Sequence, residues 1–226
     1  MFKKLTFIVS IAILILTACT TATPTITAAS LPAASDTPIP APATAETSSV
    51  ASPTNSDVDT SSLACANGGA SASLTPELTE GPYFTPNSPE HASLLEEGMP
   101  GTKLIITGYV YDTNCQPVAN ALLDFWQADA NGVYDNSGYT LRGHQFTDAN
   151  GRYELTTVVP GIYPGRTEHI HLKVQAPSGR LITSQLFFPG STLNDSDGIY
   201  NPVLLLIIQE TGDGLLGRYN FVVPAQ

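Results

Sequence analysis

The sequence predicts an all-β protein, a β-sandwich of mixed and antiparallel strands with long loops that carry the active site. Short apolar runs rich in β-branched and aromatic residues recur between residues 103 and 225. Turns containing Gly, Asn, Asp or Pro separate these runs at short intervals, a spacing typical of sandwiches and barrels. No long segment has a convincing helical period, and residues 88–98 allow at most a turn or two of helix.

Each predicted strand is bounded by a turn. The first, residues 103–112, alternates apolar and polar positions and is broken by Asn-Cys-Gln-Pro at 114–117. The second, residues 119–129, ends at Ala-Asn-Gly, and the third, residues 152–160, follows Asp-Ala-Asn-Gly. The remaining strands are residues 169–177 and 180–190, paired around Ser-Gly at 178–179, and residues 217–225, which close the chain.

The N-terminal third of the chain is predicted to direct export and not to form part of the folded domain. Residues 1–18 are interpreted as a signal peptide of the lipoprotein type, because Lys3 and Lys4 precede an apolar run shorter than the about 20 residues of a membrane span. Leu-Thr-Ala-Cys at 16–19 resembles a bacterial lipobox, in which Cys19 is acylated; an ordinary signal peptide and an uncleaved anchor are the alternatives. Residues 19–65, mostly Thr, Ser, Pro and Ala, predict a disordered tether, and residues 66–226 the folded domain.

Charge and cysteine content narrow the function and the compartment. The formal net charge of -11 argues against nucleic-acid binding, which needs basic patches. An extracytoplasmic protein at the cell surface or in the periplasm, attached to a bacterial membrane through its N-terminal lipid only, is expected. In such an oxidising compartment Cys65 and Cys115 predict a disulfide, with two free thiols as the alternative.

Two histidines, His169 and His171, are the first candidate metal ligands. Successive side chains of a strand point to opposite faces, so both imidazoles share a face and Glu168 lies off it. Such a pair can hold one metal ion, and it also occurs as two surface histidines. Because the cysteines are expected elsewhere, a thiolate zinc site is disfavoured. The phenols of Tyr134 and Tyr163 remain, and tyrosinate is a hard anion that suits Fe(III).

Several motifs together resemble a known family. In consistent order over residues 74–190, they resemble the intradiol ring-cleavage dioxygenases, the protocatechuate and catechol dioxygenase family, and YNFVVPA at 219–225 resembles the last strand of that family. Residues 191–216 match weakly. The motifs are LTPELTEGPYF (74–84), DFWQADANGVYD (124–135), LRGHQFTDANGRYELTTVVPGIYPGRTEHIHLKV (141–174) and SQLFFPG (184–190).

The resemblance implies a reaction and a ligand set. The family cleaves a catechol-type aromatic with O2 to a cis,cis-muconic acid derivative, using a non-haem Fe(III). By motif position its four iron ligands fall on Tyr134, Tyr163, His169 and His171, with Tyr163 as the ligand that leaves and takes a substrate proton. Arg166 would stabilise negative charge on the ring, and Gln185 would orient substrate or O2. Tyr83 and Arg142 are expected on the pocket rim.

Alternatives remain open at this point. Residues 104–158 also resemble a non-catalytic transthyretin-like or peptidase-associated module, and the same fold could bind zinc or Fe(II) instead. Arg166 could form only a surface ion pair with Glu168. The tether occupies the place of the helical dimerisation region of catechol-type members, so that assembly is not expected, although another homo-oligomer stays open. Trp126 is expected in the core or as support for the strand before Tyr134, and His91 and His144 are expected in loop-like stretches.

Overall fold

Two β-sheets pack face to face in the computed structural model, which describes residues 59–66 and 71–224. One sheet has four strands in the order β3-β2-β5-β6, all antiparallel. The other has the order β4-β1-β8-β7, with β9 also paired to β1. The strands are β1 (Lys103–Asp112), β2 (Leu122–Trp126), β3 (Arg142–Phe146), β4 (Arg152–Val158), β5 (His169–Gln175), β6 (Ile182–Phe187), β7 (Ile207–Thr211), β8 (Gly214–Arg218) and β9 (Phe221–Val223).

The core lies between the sheets and follows the alternation read from the sequence. In β1, Leu104, Ile106 and Val110 are fully buried, while the alternate positions face outward. β1 runs antiparallel to β4 and parallel to β8 and β9, so the second sheet is mixed. The predicted all-β sandwich of mixed and antiparallel strands is confirmed.

Two local expectations were wrong. β3 was not predicted as a strand, and His144 lies on it rather than in a loop. Residues 217–225 form two strands instead of one, because the chain leaves β8 after Arg218 and Asn220 turns its side-chain oxygen to the N–H of Tyr109. Residues 88–98 contain no helical turn and instead run along strand edges, with isolated bridges at Glu90 and Ser93.

Two Asp-Ala-Asn-Gly turns have the same hydrogen-bond pattern. The carboxylate of Asp129 accepts hydrogen bonds from the N–H groups of Asn131 and Val133, at 2.9 Å each. Asp148 repeats the pattern with the N–H groups two and four residues further on. An aspartate that caps its own turn in this way fixes the direction of the chain beyond it. The first of these turns aims Tyr134 towards the four-stranded sheet.

The N-terminal part of the described chain is fastened to the domain. A disulfide joins Cys65 to Cys115, and the side-chain amide of Asn220 donates to the carbonyl of Ala64 at 2.8 Å. The last residues of the predicted tether are therefore held against the sandwich. The predicted signal peptide, Cys19 and the tether up to residue 58 lie outside the described residues. Among residues 59–66 and 71–224 there is no helix long and apolar enough to cross a membrane.

Candidate metal centre

His169 and His171 meet at the outer face of β5. Both are buried, and their Nε2 atoms lie 3.1 Å apart. The Nδ1–H of His169 donates to the carbonyl of Thr167 at 2.6 Å, so its Nε2 carries the lone pair. Two nitrogen ligands about 2.1 Å from one ion and at a right angle to each other are about 3.0 Å apart. The spacing of the pair therefore fits two ligands of a single metal ion.

Burial keeps both imidazoles neutral. Loss of hydration lowers the pKa of His169 to about 4, with a smaller downward contribution from the nearby guanidinium of Arg166. The pKa of His171 is also lowered well below its ordinary value, first by burial and then by His169 and Arg166. At neutral pH both rings are therefore available as lone-pair donors.

Tyr134 reaches the histidine pair from the loop after β2. Its hydroxyl lies 3.3 Å from Nε2 of His169, and the side chain is buried. Burial raises the pKa of this phenol well above its ordinary value. In these buried surroundings the phenolate forms only next to a cation, such as a bound metal ion, that offsets the loss of hydration.

Tyr163 approaches from a second loop, between β4 and β5. Its ring centre is 6.0 Å from that of Tyr134, and its hydroxyl lies 2.8 Å from the hydroxyl of Tyr83. The ring of Tyr83 in turn stacks on Tyr134, with ring centres 4.4 Å apart. Tyr83, Tyr134 and Tyr163 are thus in mutual contact, and Tyr134 is the one of them that borders both histidines.

The two tyrosine-bearing loops are held together by their backbones. The N–H of Gly161 donates to the carbonyl of Asp129 at 2.8 Å. Gly132 has a φ of +78°, and a Cβ placed on it would lie 2.0 Å from the carbonyl oxygen of Ile162. Only a glycine allows this approach. The turn before Tyr134 and the loop before Tyr163 are therefore joined by two backbone contacts.

Trp126 forms one wall of the centre. Its indole is stacked on His171, with ring centres 4.9 Å apart and an interplanar angle of 10°, and Phe84 packs edge-on against its ring. Trp126 is buried, as expected. Its contact with a histidine was not predicted from the sequence. β2 and β5 are adjacent and Trp126 is paired with His171, which places the two rings side by side.

Arg166 is fixed by an acidic residue that the sequence did not suggest. Its Nε donates to Asp197 and its Nη2 to the side-chain oxygen of Gln185, each at 2.7 Å. The side-chain nitrogen of Gln185 donates to the carbonyl of Thr79, which fixes the amide orientation. Glu168 instead contacts Thr167 and Ser191. The alternative of an Arg166–Glu168 surface pair does not match this arrangement.

Asp197 is an almost completely buried partner for Arg166. Burial by itself would raise the pKa of this carboxyl, but hydrogen bonds from the N–H of Ile199, from Arg166 and from the N–H of Thr167 outweigh it and lower the pKa. Asp197 follows a short 3-10 helix, Asn194–Ser196, in the segment that matched the family weakly. Its only sequence signal was an acidic residue in a loop, which is too common to single out.

Arg142 does not lie on the pocket rim as predicted. Only 1% of its surface is exposed. Its guanidinium donates to the carbonyls of Tyr83 at 2.6 Å and of Asp135 at 2.7 Å. It is buried because β3, on which it lies, pairs with β2 opposite Trp126. Arg142 thus holds the segments that carry Tyr83 and Tyr134 in place.

The donor set determines which metal this centre could hold. In the described part of the chain, no three His, Cys, Asp or Glu side chains come together as a metal site. A metal at the histidine pair would therefore need the phenols to complete its ligands. Anionic oxygen donors beside two imidazoles suit a hard ion such as Fe(III) better than they suit zinc, which favours Cys and His.

The chain is similar in sequence to known proteins. A family model described as "Dioxygenase" matches residues 79–223. The chain is 32% identical over 139 residues to the protocatechuate 3,4-dioxygenase beta chain of Burkholderia cepacia, covering 53% of this chain and 57% of that one. It is 33% identical over 142 residues to catechol 1,2-dioxygenase 2 of Acinetobacter lwoffii, covering 51% and 52%. The chain spans about half the length of these curated relatives.

Solved structures share the fold. The dioxygenase domain of a dioxygenase carbohydrate-binding protein fusion from Streptomyces sp. SirexAA-E is 47% identical, with a TM-score of 0.67, covering 68% of this chain and all of that domain. The 3-chlorocatechol 1,2-dioxygenase of Rhodococcus opacus 1CP is 31% identical, with a TM-score of 0.63, covering 67% and 73%.

Proposed function

Because this chain belongs to the intradiol ring-cleavage dioxygenase family, we propose that it cleaves a catechol-type aromatic with O2 between the two hydroxyl-bearing carbons. The product would be a cis,cis-muconic acid derivative and the cofactor a non-haem Fe(III). The observation that carries this proposal is the contact of the Tyr134 hydroxyl with Nε2 of His169, which itself lies 3.1 Å from Nε2 of His171, with Tyr163 packed against Tyr134.

Four side chains would hold the iron. His169 and His171 offer neutral nitrogen lone pairs, and Tyr134 becomes a phenolate in the field of the cation. Bound Fe(III) would supply Lewis acidity that withdraws electron density from the coordinated catecholate. A passive transthyretin-like module has no need for this buried set, and the phenols argue against zinc.

Tyr163 is the ligand suited to leave. It lies on the loop between β4 and β5, unlike the strand-borne histidines, and it belongs to the Pro-Gly-Ile-Tyr-Pro-Gly turn sequence. On leaving, its phenolate oxygen would take a proton from the substrate hydroxyl. The Tyr83 hydroxyl, at 2.8 Å, would be a hydrogen-bond partner for Tyr163 when it is not a ligand.

Arg166 and Gln185 would act on the substrate. Arg166 carries a positive charge close enough to lower the pKa of both histidines, so its field extends to the metal position. As a catecholate oxygen takes on ketone character, negative charge would move from that oxygen onto the ring carbons, and a fixed guanidinium would stabilise that charge by an amount on the order of 3 kcal/mol. Gln185, held by Thr79, would orient the substrate or O2.

The compartment is a separate proposal. We propose that the chain is exported and anchored to a bacterial membrane through acylated Cys19, with residues 19–65 as a tether. The Cys65–Cys115 disulfide supports this, because such bonds persist in oxidising compartments. Labelling of the wild-type chain with a radioactive fatty acid in a bacterial host, and its absence in Cys19→Ala, tests the anchor. Equal labelling of both proteins would contradict it.

Isotope incorporation tests the reaction. Iron-loaded protein incubated with catechol and 18O2 should give cis,cis-muconic acid that contains both atoms of one O2 molecule, detected by mass spectrometry. One catechol and one O2 give one diacid, so the reaction balances without a further reductant. A yellow semialdehyde from cleavage beside the hydroxyls, or no product from an iron-loaded protein, would overturn the proposal.

A further inference from the structure

The positions of the positively charged side chains limit which charged groups a bound substrate can have. Nine Lys and Arg residues occur in the sequence, and Lys3 and Lys4 lie outside the described residues. Of the seven that are described, Lys103, Arg152 and Arg218 belong to the five-stranded sheet, which does not carry the histidines. Arg180 lies in the turn between β5 and β6 and pairs with Glu77. Three cations therefore remain near the metal centre.

Each of these three is already engaged. Arg142 is buried and donates to two backbone carbonyls. Arg166 pairs with Asp197 and donates to Gln185, in the place proposed for the reacting ring. Lys173 forms an ion pair with Glu80, and its Nζ lies 4.2 Å above the centre of the Phe84 ring. In the described residues no cation of this face is left over for a charged group on the far side of the substrate.

An exposed aliphatic side chain directly precedes each proposed tyrosine ligand in the sequence. Val133 directly precedes Tyr134 and is 62% exposed, and Ile162 directly precedes Tyr163 and is 48% exposed. Their two loops are joined at Gly132 and the carbonyl of Ile162. Two large aliphatic side chains therefore face solvent beside the two proposed tyrosine ligands. An apolar ring substituent would bury this surface, whereas a carboxylate would lose hydration there without gaining a partner.

We propose, building on the dioxygenase function proposed above, that the substrate is a catechol with an uncharged, apolar ring substituent or none, and not one that carries a carboxylate. The carboxylate of Asp135, which accepts hydrogen bonds from backbone N–H groups and forms no ion pair in the described residues, adds to the discrimination because like charges repel a second carboxylate. Val133 and Ile162 are the residues that would contact the substituent.

The test compares kcat/KM of the iron-loaded full chain for catechol, 4-methylcatechol and protocatechuate. The expected value for protocatechuate is at least about 30-fold below that for 4-methylcatechol, the size of effect that an unpaired charged group produces. Protocatechuate used as well as 4-methylcatechol would overturn the inference and leave the dioxygenase function standing. Absence of turnover with all three would overturn both.

A matched pair of variants tests where the substituent lies. Val133→Arg places a guanidinium at the exposed position next to Tyr134 in the sequence, and Val203→Arg places one at an equally exposed valine, 65% exposed, in the 3-10 helix Pro202–Leu204. Val133→Arg should raise the protocatechuate to 4-methylcatechol ratio of kcat/KM by about tenfold through a charge-assisted contact, while Val203→Arg leaves that ratio at the wild-type value. An equal ratio in both variants would overturn the assignment of Val133 to the substituent.

Discussion

The indole of Trp126 lies parallel to the imidazole of His171, with their centres 4.9 Å apart. Cross-strand pairing of β2 with β5 sets this contact, so one side of a proposed iron ligand is held by a rigid ring rather than by a hydrogen bond. The Nδ1 of His171 has no hydrogen-bond partner among the described residues, which makes the stacking contact more important for its orientation.

Removing the indole should therefore weaken metal binding. In Trp126→Leu, His171 gains rotational freedom, and we expect iron affinity to fall by about tenfold, as it does when groups that orient metal ligands are lost. Trp126→Phe keeps a flat ring and should retain most of the affinity. Competition with a coloured chelator measures both variants, and equal affinities for Leu and Phe would show that the ring does not orient His171.

Asp197 should act as a positioning residue for Arg166. Asp197 accepts from the N–H of Thr167 on Oδ2 and from the N–H of Ile199 on Oδ1, so Asp197→Asn keeps an acceptor for only one of them and removes the charge that holds Nε of Arg166. We expect iron to be retained and kcat to fall by at least about tenfold, towards the roughly 100-fold loss expected for Arg166→Ala.

The double variant Asp197→Asn with Arg166→Ala distinguishes positioning from a general structural effect. Because Asp197 would act through Arg166, the double variant should be no slower than Arg166→Ala alone. Losses of kcat that multiply, or loss of iron in Asp197→Asn, would show that Asp197 has a different role. Full turnover in Arg166→Ala would remove the role assigned to the arginine.

The backbone contact between the tyrosine loops gives a matched pair of glycine variants. In Gly132→Ala the new Cβ has an unfavourable positive φ and lies 2.0 Å from the carbonyl oxygen of Ile162. In Gly165→Ala the φ is also positive, but no atom lies within 4 Å of the new Cβ. Gly165→Ala should cost about 1–2 kcal/mol in free energy of unfolding. Gly132→Ala should cost more and also lose iron, because it separates Tyr134 from Tyr163. Urea unfolding and iron content measure the two, and equal effects would contradict the contact.

The disulfide should stabilise the domain without touching the metal centre. It closes a loop over a sequence separation of 50 residues, and its loss in Cys65→Ser with Cys115→Ser should lower the free energy of unfolding by about 2–4 kcal/mol. The visible spectrum of the iron-loaded protein should not change. Urea unfolding of the variant and of the reduced wild type should agree, and a changed spectrum would show that the bridge supports the site.

Alternation along a strand made part of the centre predictable. It placed His169 and His171 on one face, and family motifs brought in Tyr134, Tyr163, Arg166 and Gln185. Asp197 could not be found in this way, because it lies in a loop without periodicity. β3 was missed since the strand begins with Arg142 and Gly143, which are buried although neither resembles a core residue. Arg142 was placed on the rim because sequence alone does not show which backbone carbonyls a guanidinium will meet.

The visible absorption spectrum of the iron-loaded protein reports whether Tyr134 and its neighbours bind Fe(III). Coordination of tyrosinate to Fe(III) should give a burgundy colour, and Tyr134→Phe should lose this band together with most of the iron. Tyr153→Phe removes an equally buried phenol, which donates to the carbonyl of Tyr219 away from the centre, and should keep the colour. A colourless wild-type protein after iron loading, or a Tyr134→Phe variant with an unchanged band, would contradict the account.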